Sequence, residues 1–133
     1  MKEKGVDLKD HPALELREYI YNMAPVMRAA DLVICRAGAS TISELTALGV
    51  PALMVPSPYV TNNHQEKNAR VLETAGGAAV LVEQDSSGQV LFQTACGILH
   101  DSGKLADMEQ NMAKLGIRDA TERIYGTILE ICR

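Results

Sequence analysis

The sequence RAGASTISE at 36–44 contains the residue types that bind anions at the start of a helix. Gly38 lets a ligand approach the backbone closely, and the N–H groups of Ser40 and Thr41 lie where a helix begins and has no acceptors of its own. Because a helix start carries about +0.5 elementary charge, a phosphate is a suitable ligand there. Arg36 adds a guanidinium beside the turn, which also suits an anion. The alternative is that Arg36 only forms an ion pair at the protein surface.

A carboxylate stands one helical turn further on. Glu44 could accept two hydrogen bonds from the vicinal hydroxyls of a ribose, which together with the phosphate turn suggests a nucleotide. The alternative is that Thr41 and Glu44, three residues apart, form a capping box with no ligand at all. The local pattern alone favours that capping box.

A second polar cluster occupies 56–69, PSPYVTNNHQEKNA. Its neutral amides suit the recognition of sugar hydroxyls, and Gln65 is the residue that a structural role explains least. His64 is either a ligand or a solvated residue at a helix start, and Asn63 with Glu66 is a second possible capping box. We expect this loop to lie beside the first one, at the same edge of a sheet.

Three apolar runs, at 31–35, 52–56 and 78–82, have the pattern of parallel strands that are covered on both faces. A weaker alternating run at 14–20 predicts a fourth strand. Helical patterns lie between the runs and after residue 85, at 22–30, 41–49 and 64–76 and in two later stretches. The sequence therefore predicts an α/β fold: a partial Rossmann-like parallel sheet of about four strands with flanking helices.

Turn residues support this assignment. Gly49 and Gly76 fall where helices are expected to end, and DATE at 119–122 has the pattern of a helix start.

The composition of the chain excludes some classes of function. With 133 residues and 47% hydrophobic residues the chain suits one domain, and a net charge of −4 argues against nucleic-acid binding.

Neither a membrane span of about 20 apolar residues nor a secretion signal is visible, so a cytoplasmic protein is expected. The three cysteines, Cys35, Cys96 and Cys132, are widely spaced and form no C-x-x-C pair. The sequence therefore predicts neither a disulfide framework nor a zinc site.

Together the two polar stretches resemble the donor-binding half of the MurG family of glycosyltransferases. The resemblance rests on YIYNM at 19–23, the stretches 30–44 and 49–69, and DATERI at 119–124. It implies that the chain is an incomplete C-terminal domain of the GT-B architecture. It also implies an enzyme that transfers N-acetylglucosamine (GlcNAc) from UDP-GlcNAc to lipid I with inversion of configuration. It implies no bound metal and no cofactor.

Roles for individual residues also follow from the resemblance. Ile20 would meet the uracil edge through its backbone, and the amides of Ser40 and Thr41 would bind the diphosphate beside Arg36 and Gly38. These residues would form the nucleotide part of the donor site.

The remaining roles concern the two sugars. Glu44 would accept hydrogen bonds from the ribose, and Gln65, with His64 beside it, would recognise the GlcNAc hydroxyls. No catalytic residue is predicted within 1–133.

The resemblance also predicts what lies outside the chain: the first two strand–helix units of the donor domain and the N-terminal acceptor domain. Lipid I and peripheral contact with the cytoplasmic face of the membrane would belong mainly to that acceptor domain. We expect the chain alone to be inactive. A free-standing donor subunit of a two-chain transferase and a noncatalytic nucleotide-binding module are the alternatives. Either the strand at 14–20 pairs directly with the other three, or a hydrophobic sheet edge is exposed and the chain associates.

Overall fold

Strands and helices alternate along the first two thirds of the chain. The computed structural model describes residues 8–59, 64–116 and 120–132. Short 3₁₀ turns occupy Leu8–Asp10 and Glu83–Asp85. The regular elements, in chain order, are α1 (Met23–Ala29), β1 (Val33–Cys35), α2 (Ala39–Leu48), β2 (Ala52–Met54), α3 (His64–Thr74), β3 (Ala78–Val80), α4 (Gly88–Leu99), α5 (Ser102–Lys114) and α6 (Ala120–Ile131).

The three strands form one parallel sheet in the order β1-β2-β3. Cys35 pairs with Met54, and Met54 pairs with Val80, so the three strands end at the same level. The ladder continues past the strand ends, since the N–H of Val55 donates to the Cys35 carbonyl at 2.9 Å and that of Leu81 donates to the Met54 carbonyl at 2.9 Å. The three apolar runs are therefore confirmed as parallel strands, and their carboxyl ends share one edge.

The predicted strand at 14–20 is wrong. The segment forms no strand, and residues 14–19 are all exposed. An alternating pattern stabilises a strand only when one face packs on a core, and here neither face does. The sheet has three strands instead of about four, and within the described residues the outer edge of β1 is unpaired.

Ile34, at the centre of β1, is 48% exposed. Of the two arrangements that the sequence left open, the structure has the exposed hydrophobic edge. Association through that edge stays a prediction.

The core lies around β2, whose three residues are all buried. Leu45 of α2, Ala69 of α3 and Met112 of α5 are each fully buried and belong to the same cluster as Met54. Because helices cover both faces of a parallel sheet, its central strand has no solvent-facing side chain. This packing fixes the position of α2 relative to the strand ends.

The helix ends follow the predicted pattern. Gly49 has φ 70° and Gly76 has φ 82°, the left-handed conformation that glycine adopts without a Cβ clash after a helix. Helices α5 and α6 confirm the helical stretches expected after residue 85. Asp119, the first residue of the predicted helix start at 119–122, lies outside the described residues.

Several large apolar side chains of α6 face solvent, with exposed fractions from 43 to 78%. They belong to Ile124, Tyr125, Ile128, Leu129 and Ile131. None of the helices in the described ranges combines the length and apolar character that crossing a membrane requires.

We expect Gly116→Ala to destabilise the fold. A Cβ on Gly116 would lie 2.5 Å from the Thr46 carbonyl oxygen and 2.9 Å from its carbon, and backbone atoms cannot rotate away. The free energy of unfolding, measured by urea denaturation, should fall by about 1–3 kcal/mol.

Gly97→Ala is the control, because a Cβ at this position of α4 has no heavy atom within 4 Å. It should leave stability unchanged or raise it by about 0.5–1 kcal/mol, since glycine in a helix carries an entropic cost. Equal unfolding midpoints for the two variants would contradict the packing of α2 against the end of α5.

Candidate functional site

The residue that precedes helix α2 has no side chain. Gly38 is its N-cap, with φ −70° and ψ 148°, and no side chain caps the helix. The N–H of Ile42 makes the first bond of the helix, to the Gly38 carbonyl at 3.0 Å. The expected capping box of Thr41 and Glu44 is therefore wrong, because Thr41 is already the third residue of the helix.

The missing cap leaves donors available at the turn. The N–H groups of Ala39, Ser40 and Thr41 have no acceptor in the described part of the chain. Ser40 is exposed, and a Cβ placed on Gly38 would meet no heavy atom within 4 Å. The helix start is thus open to a ligand, and its N–H groups favour an anion.

Arg36, which follows β1, forms an ion pair with Glu83, as the alternative prediction for it states. Its Nη1 donates to the Val55 carbonyl at 3.2 Å and to Glu83 Oε2 at 3.1 Å, and its Nη2 donates to Glu83 Oε1 at 3.0 Å. The hydrogen bond between the two side chains is the main cause that raises the pKa of Arg36 and lowers the pKa of Glu83. Both groups are therefore charged at neutral pH.

Glu83 was missed in the sequence. The signal that could have found it is its position, directly after the apolar run at 78–82, which places it at the same sheet edge as Arg36. Because its charge is opposite to that of Arg36, Coulomb attraction favours contact between the two side chains.

Gln65 anchors the loop that follows β2. Its Oε1 accepts a hydrogen bond from the backbone N–H of Ser57 at 2.9 Å, and the Gln65 side chain is half-buried. Its amide NH₂ has no acceptor among the described residues. His64, the first residue of α3, is exposed. Asn63, the first residue of the second possible capping box, lies outside the described residues.

The other two predicted residues stand apart from these contacts. Glu44 is exposed on α2 and makes no hydrogen bond or ion pair within the described ranges. Ile20 lines a cavity of about 390 Å³ with Leu16 and Val26, and no other predicted site residue lines that cavity. The structure thus brings together the ends of β1, β2 and β3 and the start of α2, and it places Ile20 in the segment before α1.

Two further cavities, of about 310 and 750 Å³, lie near the opposite, amino ends of the strands. Residues 49–51 line the first and Gly76 and Ala78 line the second, and neither cavity contains a predicted site residue.

Nucleophilic chemistry by Cys35 is disfavoured. Burial raises the pKa of its thiol to about 11, so the thiolate is scarce at neutral pH. Among the described residues, no group of three or more histidine, cysteine, aspartate or glutamate side chains could hold a metal ion. The strand ends and the start of α2 offer binding chemistry in the form of N–H donors, an amide and an ion pair, and α2 adds the carboxylate of Glu44.

Comparison with known proteins is consistent with this chemistry. The model of the glycosyltransferase family 28 C-terminal domain matches residues 1–124. Two curated relatives, from Acetivibrio thermocellus and Ruminiclostridium cellulolyticum, are each named UDP-N-acetylglucosamine--N-acetylmuramyl-(pentapeptide) pyrophosphoryl-undecaprenol N-acetylglucosamine transferase. The first is 50% identical over 92% of this chain and 33% of its own length, and the second is 44% identical over 95% and 35%.

A solved structure agrees. The crystal structure of MurG from Acinetobacter baumannii superposes with a TM-score of 0.79 at 31% identity, over 87% of this chain and 35% of that one. The chain spans about a third of the length of the curated relatives that it matches. The resemblance to the MurG family is confirmed in sequence and in fold.

Proposed function

The chain belongs to the family of glycosyltransferase family 28 C-terminal domains, and on that premise we propose that it binds UDP-GlcNAc as the donor half of an inverting, hexose-transferring enzyme. The observation that carries this proposal is the start of α2, where the amides of Ser40 and Thr41 are open and uncapped. A diphosphate is the part of the donor that such a site binds.

The same amides would assist the reaction. As the UDP leaving group departs, negative charge grows on its diphosphate, and oriented N–H groups stabilise that charge more strongly than they stabilise the intact donor. The lack of a protein cap at Gly38 supports this role, since a capping side chain would occupy the same donors.

The remaining residues would bind the rest of the donor. We propose that Glu44 accepts hydrogen bonds from the ribose, that the backbone of Ile20 meets uracil, and that Gln65 and His64 bind GlcNAc. The free NH₂ of Gln65 supports its part, because the Ser57 bond uses only the side-chain oxygen. Arg36 would lie beside the diphosphate with Glu83 attached.

Transfer to lipid I, which yields lipid II for peptidoglycan, is proposed for the longer transferases that the relatives represent. Acceptor binding and peripheral contact with the cytoplasmic face of the membrane would belong to a domain outside these 133 residues. Donor binding is the part that we propose for this chain.

A titration followed by amide NMR tests donor binding. A chain of 14.4 kDa is small enough for backbone amide NMR, and we expect UDP and UDP-GlcNAc to shift the amide signals of Ser40 and Thr41 strongly. ADP should bind more weakly, because the uracil contact is lost. Absence of shifts with all three nucleotides would overturn the proposal and favour a scaffold that binds no nucleotide.

Glu44→Ala should weaken UDP binding by about 1.5–3 kcal/mol, since charge-assisted hydrogen bonds to the ribose are lost. Calorimetric titration with UDP and with 2′-deoxy-UDP measures the effect, which should be smaller for the deoxy ligand. Glu109→Ala, which removes an exposed carboxylate on α5, is the matched control and should bind UDP normally. An equal loss for both ligands would argue against the ribose contact.

Gln65→Ala should reduce the affinity for UDP-GlcNAc far more than the affinity for UDP, because only the former carries the sugar. Gln65→Glu separates the two roles of this side chain: the carboxylate still accepts from the Ser57 N–H but has no NH₂ to donate. Both variants should show the same selective loss in calorimetry. Equal losses for the two ligands would remove the sugar assignment.

A further inference from the structure

We propose that Glu83 is a positioning residue for the donor diphosphate and acts by holding the Arg36 guanidinium beside the start of α2. This inference rests on the proposed function and deepens it. It adds a residue from the third strand end to a site that the sequence assigned to the first two.

Glu83 is itself held firmly by its own turn. It opens the 3₁₀ turn Glu83–Asp85 after β3, and the Asp85 N–H donates to the Val82 carbonyl at 2.9 Å. The Glu83 carbonyl accepts from the Ser86 backbone N–H at 3.0 Å and from the Ser86 hydroxyl at 2.8 Å. The carboxylate therefore extends from a fixed backbone.

Arg36 is held at two points on one planar group. The paired bonds to Glu83, at 3.0 and 3.1 Å, fix the plane of the guanidinium, and the bond to the Val55 carbonyl at 3.2 Å fixes its position along the edge. Bidentate pairing of this kind is geometrically specific. Arg36, Val55 and Glu83 thus connect the ends of all three strands.

The pairing leaves part of Arg36 available. A guanidinium has five N–H groups, and three bonds are made here, so Nε–H and one N–H of Nη2 have no acceptor within the described residues. Arg36 stands two residues before Gly38, the N-cap of α2. The side chains of the pair are 51% and 33% exposed, and ion pairs with such access to water contribute little to folding stability. The ion pair with Glu83 therefore mainly positions the Arg36 guanidinium.

A different role for Glu83 predicts the opposite change in UDP affinity when the carboxylate is removed. If the carboxylate only competed with the diphosphate for Arg36, its removal would free the guanidinium and tighten binding. The two roles are therefore separated by the direction of a single measurement.

The test measures dissociation constants for UDP and uridine, by NMR titration well below the unfolding temperature, in wild type, Glu83→Ala, Glu83→Gln, Arg36→Ala and the double alanine variant. Glu83→Ala should weaken UDP binding roughly tenfold, about one charge-assisted hydrogen bond, and leave uridine binding unchanged. Glu83→Gln, which keeps one acceptor and the side-chain volume, should recover part of the loss. The double variant should bind UDP no more weakly than Arg36→Ala.

Glu73→Ala is the matched control. Glu73 pairs with Arg70 at 2.7 Å on the exposed face of α3, so its loss removes a similar ion pair far from the turn and should leave UDP binding unchanged. Unchanged or tighter UDP binding in Glu83→Ala, an equal loss for uridine, or additive losses in the double variant would each overturn the inference. If wild type fails to bind UDP, the proposed function falls and this inference falls with it.

Discussion

An α-helix that starts without a side-chain cap leaves its first N–H groups to water or to a ligand, and the proposed site depends on this open start. A serine, threonine, aspartate or asparagine at the N-cap of α2 would bond one of these N–H groups with its side chain and stabilise the helix by roughly a few tenths of a kcal/mol relative to glycine. Gly38 stands there instead, with open space where its Cβ would be. The helix is stabilised by burial of Leu45 and by its C-cap at Gly49, so its start can remain unpaired for a ligand.

The parallel register assembles the other groups around that start. Cys35, Met54 and Val80 are in line across the sheet, so the residues that follow them emerge at one edge. Arg36 and Val55 are each one residue past their strand, and the 3₁₀ turn after β3 brings Glu83 back toward them. The ion pair is thus a consequence of register together with local turn geometry. A shift of one residue in either strand pair would separate its members.

The strands of the sheet could be predicted from the sequence, because a strand that is buried on both faces is a continuous apolar run. The continuous apolar runs at 31–35 and 52–56 and the glycines at 49 and 76 identified the strands and helix ends correctly. The segment 14–20 failed because alternation reports only a potential face, and whether a core lies opposite depends on residues far away. The contact of Glu83 with Arg36, 47 residues apart, likewise depends on register that no local pattern contains.

The failure at the start of α2 has a different cause. Threonine and glutamate three residues apart also fit a helix interior, so Thr41 and Glu44 matched the capping pattern although the helix had begun two residues earlier. The signal that decides between them is Gly38 itself, which is an accepted N-cap residue, followed directly by Ala39, the residue type with the highest helix propensity. The open N–H groups belonged to the alternative that the family motif favoured, and their role in donor binding stays a prediction.

The charges along α2 also orient the proposed ligand. The helix start attracts anions, but Glu44 carries a negative charge three residues beyond Thr41, about 4.5 Å further along the axis. A diphosphate near Glu44 would be repelled, and a ribose near Gly38 would leave the open amides unpaired. Since the ion pair of Arg36 with Glu83 is neutral as a unit, it does not reverse this gradient. Only one direction of a nucleotide along the helix therefore satisfies both ends, with phosphate at the glycine turn and pentose at the carboxylate.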